Sequence, residues 1–251
     1  MTTDTVNKVA IITGAARNMG SAFAVALAEQ GFDIVVHYNS DTSMLAAKNT
    51  TELVQKIGAK ALLVKGDLSI FDNVKVLFNK AVETFGRVDV VINNAGKIIK
   101  RPVVECTEDD YHQLFNINCK AAFFVMQQAA KCIEDNGRII NMGTSLLAAF
   151  TGSYSLYAGS KSPLEHFTRA LAKEVGARGI TVNTICPGPV DTEFFHGEEN
   201  EQTVAYLRAA SVANRLGKID DIVPIVKFIA STDSQWTTGQ TLFVNGGFVT
   251  R

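Results

Sequence analysis

An α/β domain, built as a doubly wound parallel sheet of about seven strands with helices on both faces, is the fold this sequence predicts. Three observations carry the prediction. Short, wholly apolar runs alternate with longer amphipathic ones, the pattern of strands buried on both faces and of the helices that cover them. The chain has 251 residues, 47% hydrophobic and 20% charged, enough for one domain with a large core. No linker, repeat or low-complexity tract interrupts it, so residues 1–251 read as a single domain.

The elements follow in order. Val9-Ala10-Ile11-Ile12 reads as a buried strand and residues 21–30 as a helix stopped by Gly31. Ile34-Val35-Val36 is a second strand, and residues 42–57 a helix stopped by Gly58. Residues 61–64 form the third strand, 71–85 a helix and 88–92 the fourth strand. A long helical stretch over 108–133 precedes the fifth strand at 138–141. Residues 157–177 are mostly helix, with a bend expected at Pro163, whose ring meets the carbonyl of Gly159. Strands at 181–185 and 242–244 flank a helix at 222–230. Right-handed crossovers then wind the sheet in both directions. The least regular segment, 187–214, reads as a lid, a substrate-binding loop or a disordered stretch.

Composition excludes several classes. Net charge is -1, with acids and bases mixed and no basic stripe, so no nucleic-acid partner is expected. Residues 1–8 are polar and no apolar run is long enough to span a bilayer, so neither a signal peptide nor a membrane is expected. Cys106, Cys119, Cys132 and Cys186 form no CxxC pair and read as reduced, mostly buried thiols of a cytoplasmic protein. His37, His112, His166 and His196 have no partner at metal-ligand spacing, so no metal is expected.

Chemistry concentrates at a few places. Thr13-Gly14-Ala15-Ala16-Arg17-Asn18-Met19-Gly20 follows the first strand and opens a helix. Glycines there let backbone approach a pyrophosphate, and the helix start attracts its charge. Tyr157 and Lys161 stand four apart, on one face of a helix. A phenol with a pKa of about 10 is a poor acid or base at neutral pH, and a cation beside it brings its proton into range. Just upstream, Thr144 and Ser145 offer hydroxyls thirteen and twelve residues before Tyr157.

These motifs, with Asp67-Leu68, Asn93-Asn94-Ala95-Gly96, Asn118 and Pro187-Gly188-Pro189-Val190-Asp191-Thr192, closely resemble those of the short-chain dehydrogenase/reductase family over nearly the whole chain. Asn18 stands where that family's TGxxxGxG turn has its middle glycine. The resemblance implies a Rossmann-like fold and a nicotinamide cofactor. It places the turn of Gly14, Asn18, Met19 and Gly20 on the pyrophosphate, Arg17 where NADP-using relatives carry a basic residue, and Asp67, followed by Leu68, on the adenine. Asn94, Ala95 and Gly96 would line the middle of the cofactor, and Pro187, Gly188, Val190 and Thr192 its carboxamide. It makes Tyr157 the general acid in reduction and the base in oxidation. Lys161 would lower the Tyr157 pKa and hold the ribose, and Asn118 would link Lys161 to solvent. A hydroxyl would hold the carbonyl oxygen. Serine is the family's usual residue, so the reading favours Ser145, with Thr144 at the family's usual spacing left open.

At the end of the second strand, Tyr38, Asn39 and Ser40 offer no acid before Asp41. With Arg17 able to pair a phosphate, NADP(H) is preferred and NAD(H) remains possible. Leu146-Leu147, Tyr154 and Phe194-Phe195 would wall an apolar pocket for a neutral ketone or aldehyde, or the matching alcohol. The leading reading is an NADPH-dependent carbonyl reductase. Reduction of 3-oxoacyl groups on acyl carrier protein, pteridine reduction and a non-catalytic NADP(H) sensor stand as alternatives. The resemblance also implies a homotetramer.

Overall fold

Among the residues described, 7–251 of a computed structural model, seven strands join one sheet: β1 (Lys8–Ile12), β2 (Phe32–Tyr38), β3 (Ala61–Lys65), β4 (Val90–Asn93), β5 (Arg138–Met142), β6 (Thr181–Pro187) and β7 (Thr241–Val244). Most of the polar stretch expected ahead of β1 lies outside the described residues. The sheet order is β3-β2-β1-β4-β5-β6-β7, and every pairing is parallel. Winding reverses between β1 and β4. In such sheets the carboxyl ends of the strands part at that point and leave a crevice.

Side-chain parity sorts the core into two layers. Ala10, Ile12, Ile34, Val36 and Ile92 face one side, against Phe23 and Leu27 of α1 (Asn18–Glu29), Val54 of α2 (Met44–Lys56), and Ile222 and Val226 of α10 (Ile219–Ala230). Val9, Ile11, Val35, Val91 and Ile139 face the other. They meet Leu77 and Phe78 of α3 (Phe71–Phe85), Val125 of α5 (Ala122–Cys132) and Leu164 of α7 (Pro163–Val175). The expected doubly wound sheet is therefore the one observed.

The long helix expected over 108–133 is three pieces. α4 (Glu108–Leu114) passes into wide π-type turns over Phe115–Ala121 before α5 begins. At Pro163 the backbone bends without leaving helical geometry. α6 (Ser155–Lys161) ends, Ser162 keeps φ -56 and ψ -38, and Pro163 opens α7, where its missing N–H costs nothing. The segment 187–214 is more regular than expected. It holds α8 (Glu193–His196), capped by the Thr192 hydroxyl, and α9 (Glu201–Ala210), capped by the Asn200 side chain. Of the four cysteines, all free, only Cys186 is buried, against the expectation that most would be. Cys106 lies in a loop and Cys132 ends α5, where side chains reach solvent.

Candidate active site

The turn after β1 is built from backbone in unusual conformations. Gly14 (φ 64) and Asn18 (φ 51) both take left-handed geometry, so asparagine fills the place a glycine would suit. A Cβ on Gly14 would lie 3.0 Å from Ala95 Cα, and one on Gly20 only 2.2 Å from the Gly14 carbonyl oxygen. The Thr13 hydroxyl accepts from the amides of Asn94 and Ala95, each at 2.9 Å. In return the Asn94 side chain donates to the Thr13 and Gly14 carbonyls, at 3.0 and 3.2 Å. The turns after β1 and β4 are thus stitched into one floor. At the start of α1 no side chain caps the helix and the first turn holds no acid, whereas α4 opens with three. The uncapped amides leave a positive end aimed where an anion fits.

His37 supports this floor, and the sequence reading did not place it there. The Gly14 amide donates to His37 Nδ1 at 3.1 Å, which leaves Nε2 to donate to the Gly66 carbonyl at 2.8 Å. Burial holds the ring neutral and lowers its pKa to about 4, outweighing the Gly66 bond and the charge of Asp67. The available signal was a histidine directly after the apolar run Ile34-Val35-Val36.

A cleft of about 640 Å³ crosses the strand ends. Tyr38, Asn39, Asp67 and Leu68 line it over β2 and β3, and Arg17, Asn18 and Met19 line it at the α1 turn. Gly14 and Gly20 lie beside that turn, then Asn94, Ala95 and Gly96 over β4, and Tyr157, Lys161 and Thr192 beyond. Asp67 also accepts from the Ser69 amide at 2.9 Å.

Other expected residues stand outside the lining. Ser43 takes the place given to Ser40, whose hydroxyl bonds instead with that of Thr42 at 2.8 Å. Pro187 pairs with Val244 in the sheet, and the Gly188 amide donates to the Val244 carbonyl at 3.0 Å. Gly188 and Val190 face a second cavity of about 240 Å³, with Val190 bridged to Gly217. Of the four residues expected at the carboxamide, the structure brings only Thr192 to the cleft.

At the chemical end, Tyr157 and Lys161 are both buried on α6. Lys161 Nζ donates to the Met142 carbonyl at 2.8 Å. Asn118 sits in the π-type turns, a local widening that recurs at functional sites. Its side chain pairs with the Lys97 backbone, at 2.9 and 2.8 Å, and donates to Ser160 Oγ at 3.0 Å. A Cβ on Gly96 would lie 2.9 Å from Asn118 Oδ1 and 3.2 Å from Lys161 Nζ, so both side chains converge over that glycine.

The two candidate hydroxyls have different partners. Ser145 is buried and donates to the Cys186 carbonyl at 3.0 Å. Thr144 Oγ1 accepts from the Leu146 amide at 3.3 Å, and its hydroxyl is the group that favours ionisation of the Tyr157 phenol. Burial pushes the phenol up to about 12, against the lowering effect of Thr144. Burial also pulls the Lys161 ammonium down to about 8, with Cys186 acting weakly the other way. The expected lowering of Tyr157 by Lys161 is not seen, because burial dominates and the ammonium is bonded to Met142.

A parallel sheet with its cleft at the winding reversal, and a buried phenol and ammonium in that cleft, defines an oxidoreductase of the nicotinamide type. The comparisons agree. A family model described as enoyl-(acyl carrier protein) reductase matches residues 14–249. A hydroxynaphthalene reductase-like protein of Metarhizium brunneum is 37% identical over 97% of this chain and 95% of its own. A protein from Burkholderia cenocepacia, solved with bound NADP, superposes with a TM-score of 0.95 at 41% identity, covering 98% of this chain and 95% of that one. A landomycin C-6 ketoreductase, solved with NADP and rabelomycin, gives a TM-score of 0.87 at 32% identity over 96% of each chain. The chain belongs to the short-chain dehydrogenase/reductase family and is an NAD(P)-dependent oxidoreductase. No helix among the described residues is long and apolar enough to cross a membrane.

Proposed function

We propose that the protein is an NADPH-dependent carbonyl reductase that moves a hydride between nicotinamide and a ketone or aldehyde. The observation that carries this reading is the buried Tyr157, kept protonated in the cleft beside Lys161. The residues present suit the cofactor. The uncapped start of α1 and the left-handed Gly14 and Asn18 would receive the pyrophosphate. Asp41, the acid closest after β2, is bonded to Lys65 at 2.6 Å and stands outside the lining, while Arg17 stands within it. That arrangement favours a 2′-phosphate over a bare 2′-hydroxyl. The Burkholderia relative holds NADP.

When bound, NADPH supplies the hydride. Thr144 would donate a hydrogen bond to the carbonyl oxygen and orient it. Tyr157 would release its phenolic proton to that oxygen as negative charge develops. Lys161 and Asn118, converging over Gly96, would set the charge around the phenol.

The substrate side favours a neutral carbonyl compound. Ile98, Leu114, Leu146 and Tyr154 pack with Tyr157, and Phe194 edges the cleft. Lys100 is paired with Glu199 and Arg101 with Asp110, and Lys97 is bonded to Gln113. A docking patch for an acidic carrier protein would need such cations free, which counts against the 3-oxoacyl reading. The named chemistry of two relatives, hydroxynaphthalene reduction and a ketoreductase holding rabelomycin, points toward carbonyls on fused rings. Retention of both Tyr157 and Lys161 in the cleft argues against a sensor.

A cytoplasmic homotetramer is part of the proposal. Phe123 on α5 is 42% exposed and stacks edge-on with Phe167 of α7 at 5.1 Å, an apolar face suited to a second copy. Light scattering would read the assembly directly.

Initial rates with NADPH and NADH over ketones, aldehydes and 3-oxoacyl esters test the function. Turnover with NADPH that falls about 10²–10⁴-fold in Tyr157→Phe, with NADPH binding retained, is the expected result. Binding without turnover on any compound, the same in wild type and variant, would overturn it.

A further inference from the structure

Glu199 is a buried carboxylate that the chemistry above does not use. Its side chain is 1% exposed, although it lies in the short link between α8 and α9. It accepts a hydrogen bond from the Tyr154 hydroxyl and pairs with Lys100 Nζ. The neighbouring Glu198 accepts from the Lys100 amide at 2.9 Å, and Lys100 Nζ stands 5.4 Å from the centre of the Tyr154 ring. Three segments therefore meet at one carboxylate: the loop after β4, the residue just before α6, and the link between α8 and α9.

The surroundings say why this meeting matters. Neither α8 nor α9 buries a single residue. A segment with so little buried contact closes weakly unless specific bonds hold it. At its start, Val190 bridges Gly217 and the Asp191 amide donates to the Gly217 carbonyl at 2.8 Å. From there it passes the cleft at Thr192 and Phe194. Its far side is tied down at Glu198 and Glu199. A carboxylate taken this far out of water needs both its partners, so removing one leaves an expensive unpaired group.

We propose that Glu199 is a positioning residue for the substrate side, latching the α8–α9 segment through Tyr154 onto the helix that carries Tyr157. Tyr154 stands three residues before Tyr157, and the two rings lie 6.4 Å apart. Closure of the lid and placement of the catalytic phenol are thus set by the same carboxylate. The latch fixes how large a carbonyl compound the closed pocket admits, and it leaves the cofactor floor untouched. The role rests on the reductase reading, and the test separates the two.

The variants are Glu199→Ala, Glu199→Gln and Tyr154→Phe, each read against wild type. Hydrogen exchange over residues 193–210 reports the latch without any turnover. KM, kcat and the NADPH dissociation constant report its consequence. Glu199→Ala is expected to raise exchange in that segment and to raise the KM of a compact ketone about tenfold or more, with NADPH affinity unchanged. Bulky ketones should suffer less. Glu199→Gln keeps an acceptor for Tyr154 and should recover part of the loss. Faster exchange in the variants, with no turnover by wild type, would sustain the latch and sink the reductase reading. Turnover by wild type, with exchange and KM unmoved in Glu199→Ala, would overturn the latch. A variant that loses NADPH affinity as much as ketone affinity would also overturn it, by showing a general defect.

Discussion

The two sides of the cleft are built on opposite plans. The cofactor side is backbone held by short, fixed side chains: left-handed Gly14 and Asn18, amides of Asn94 and Ala95 on the Thr13 hydroxyl, and His37 bonded to both Gly14 and Gly66. Apart from Asn18, which opens α1, these groups sit at or just past the end of a strand that the sheet fixes. The substrate side is two helices with no buried residue, attached by a short bridge at one end and by the carboxylates of Glu198 and Glu199 between them. A rigid half suits a ligand whose shape never varies. A loosely packed half suits one that must enter and leave, since opening it costs few contacts. Tyr157 stands where the halves meet.

The sharpest way to break this contrast lies at that meeting point. Thr144→Ala should lower kcat about 10²–10³-fold, the usual cost of losing a donor to a developing oxyanion. Ser145→Ala should leave kcat nearly unchanged and cost about 1 kcal/mol of stability, because its hydroxyl serves the Cys186 carbonyl. Steady-state kinetics and thermal unfolding of the two variants check this. The opposite ranking would return the substrate hydroxyl to Ser145 and move the catalytic group one residue toward the lid.

A pH profile probes the same boundary. Below pH 8 both the Lys161 ammonium and the Tyr157 phenol hold their protons, since burial lowers the first to about 8 and raises the second to about 12. On the alkaline side the ammonium is therefore lost first. The kcat/KM for reduction should be level below about pH 8 and fall up to tenfold per unit above it. In Lys161→Arg the residual activity should lose this fall, because a guanidinium stays charged. A fall at the same pH in that variant would assign it to another group. On the acid side, His37 gains a proton as pH drops through about 4 and can no longer accept from the Gly14 amide. NADPH affinity should then weaken before ketone affinity does.

The same contrast explains what the sequence could tell. α3 was legible to both ends, because an amphipathic run stops at Gly86, whose φ of 76 ends the helix. The glycine turn, the Asn94 turn and the Tyr157–Lys161 pair were legible because each is a local pattern with a local physical reason. The partner of Ser145 was not legible, because nothing near it in sequence reveals that the Cys186 carbonyl lies opposite. The π-type turns carrying Asn118 escaped notice since their composition is ordinary for a helix. The lid helices left a signal that went unused: Thr192 and Asn200 each stand just before a helix and cap it. What remained hidden was tertiary, above all the partners of His37 and Glu199.

The smallest effect is the one that would link the halves. Arg17 on the cofactor turn lies 3.7 Å from Glu193 at the start of α8, with both side chains largely exposed. A pair so open to water contributes little to stability, because solvent screens it and both side chains lose freedom in forming it. Its interest is positional, as Arg17 can serve a 2′-phosphate or Glu193 but is attached only to the rigid side. Arg17→Ala should raise the NADPH dissociation constant about tenfold and leave that of NADH unchanged, as expected for one charge-assisted contact to phosphate. Glu193→Gln should leave NADPH affinity the same or slightly tighter, with the ketone KM unmoved. That outcome keeps the two halves energetically separate. If Glu193→Gln instead raised the ketone KM only when NADPH, not NADH, was bound, the 2′-phosphate would be felt across the cleft through Arg17. The rigid side would then set the position of the lid.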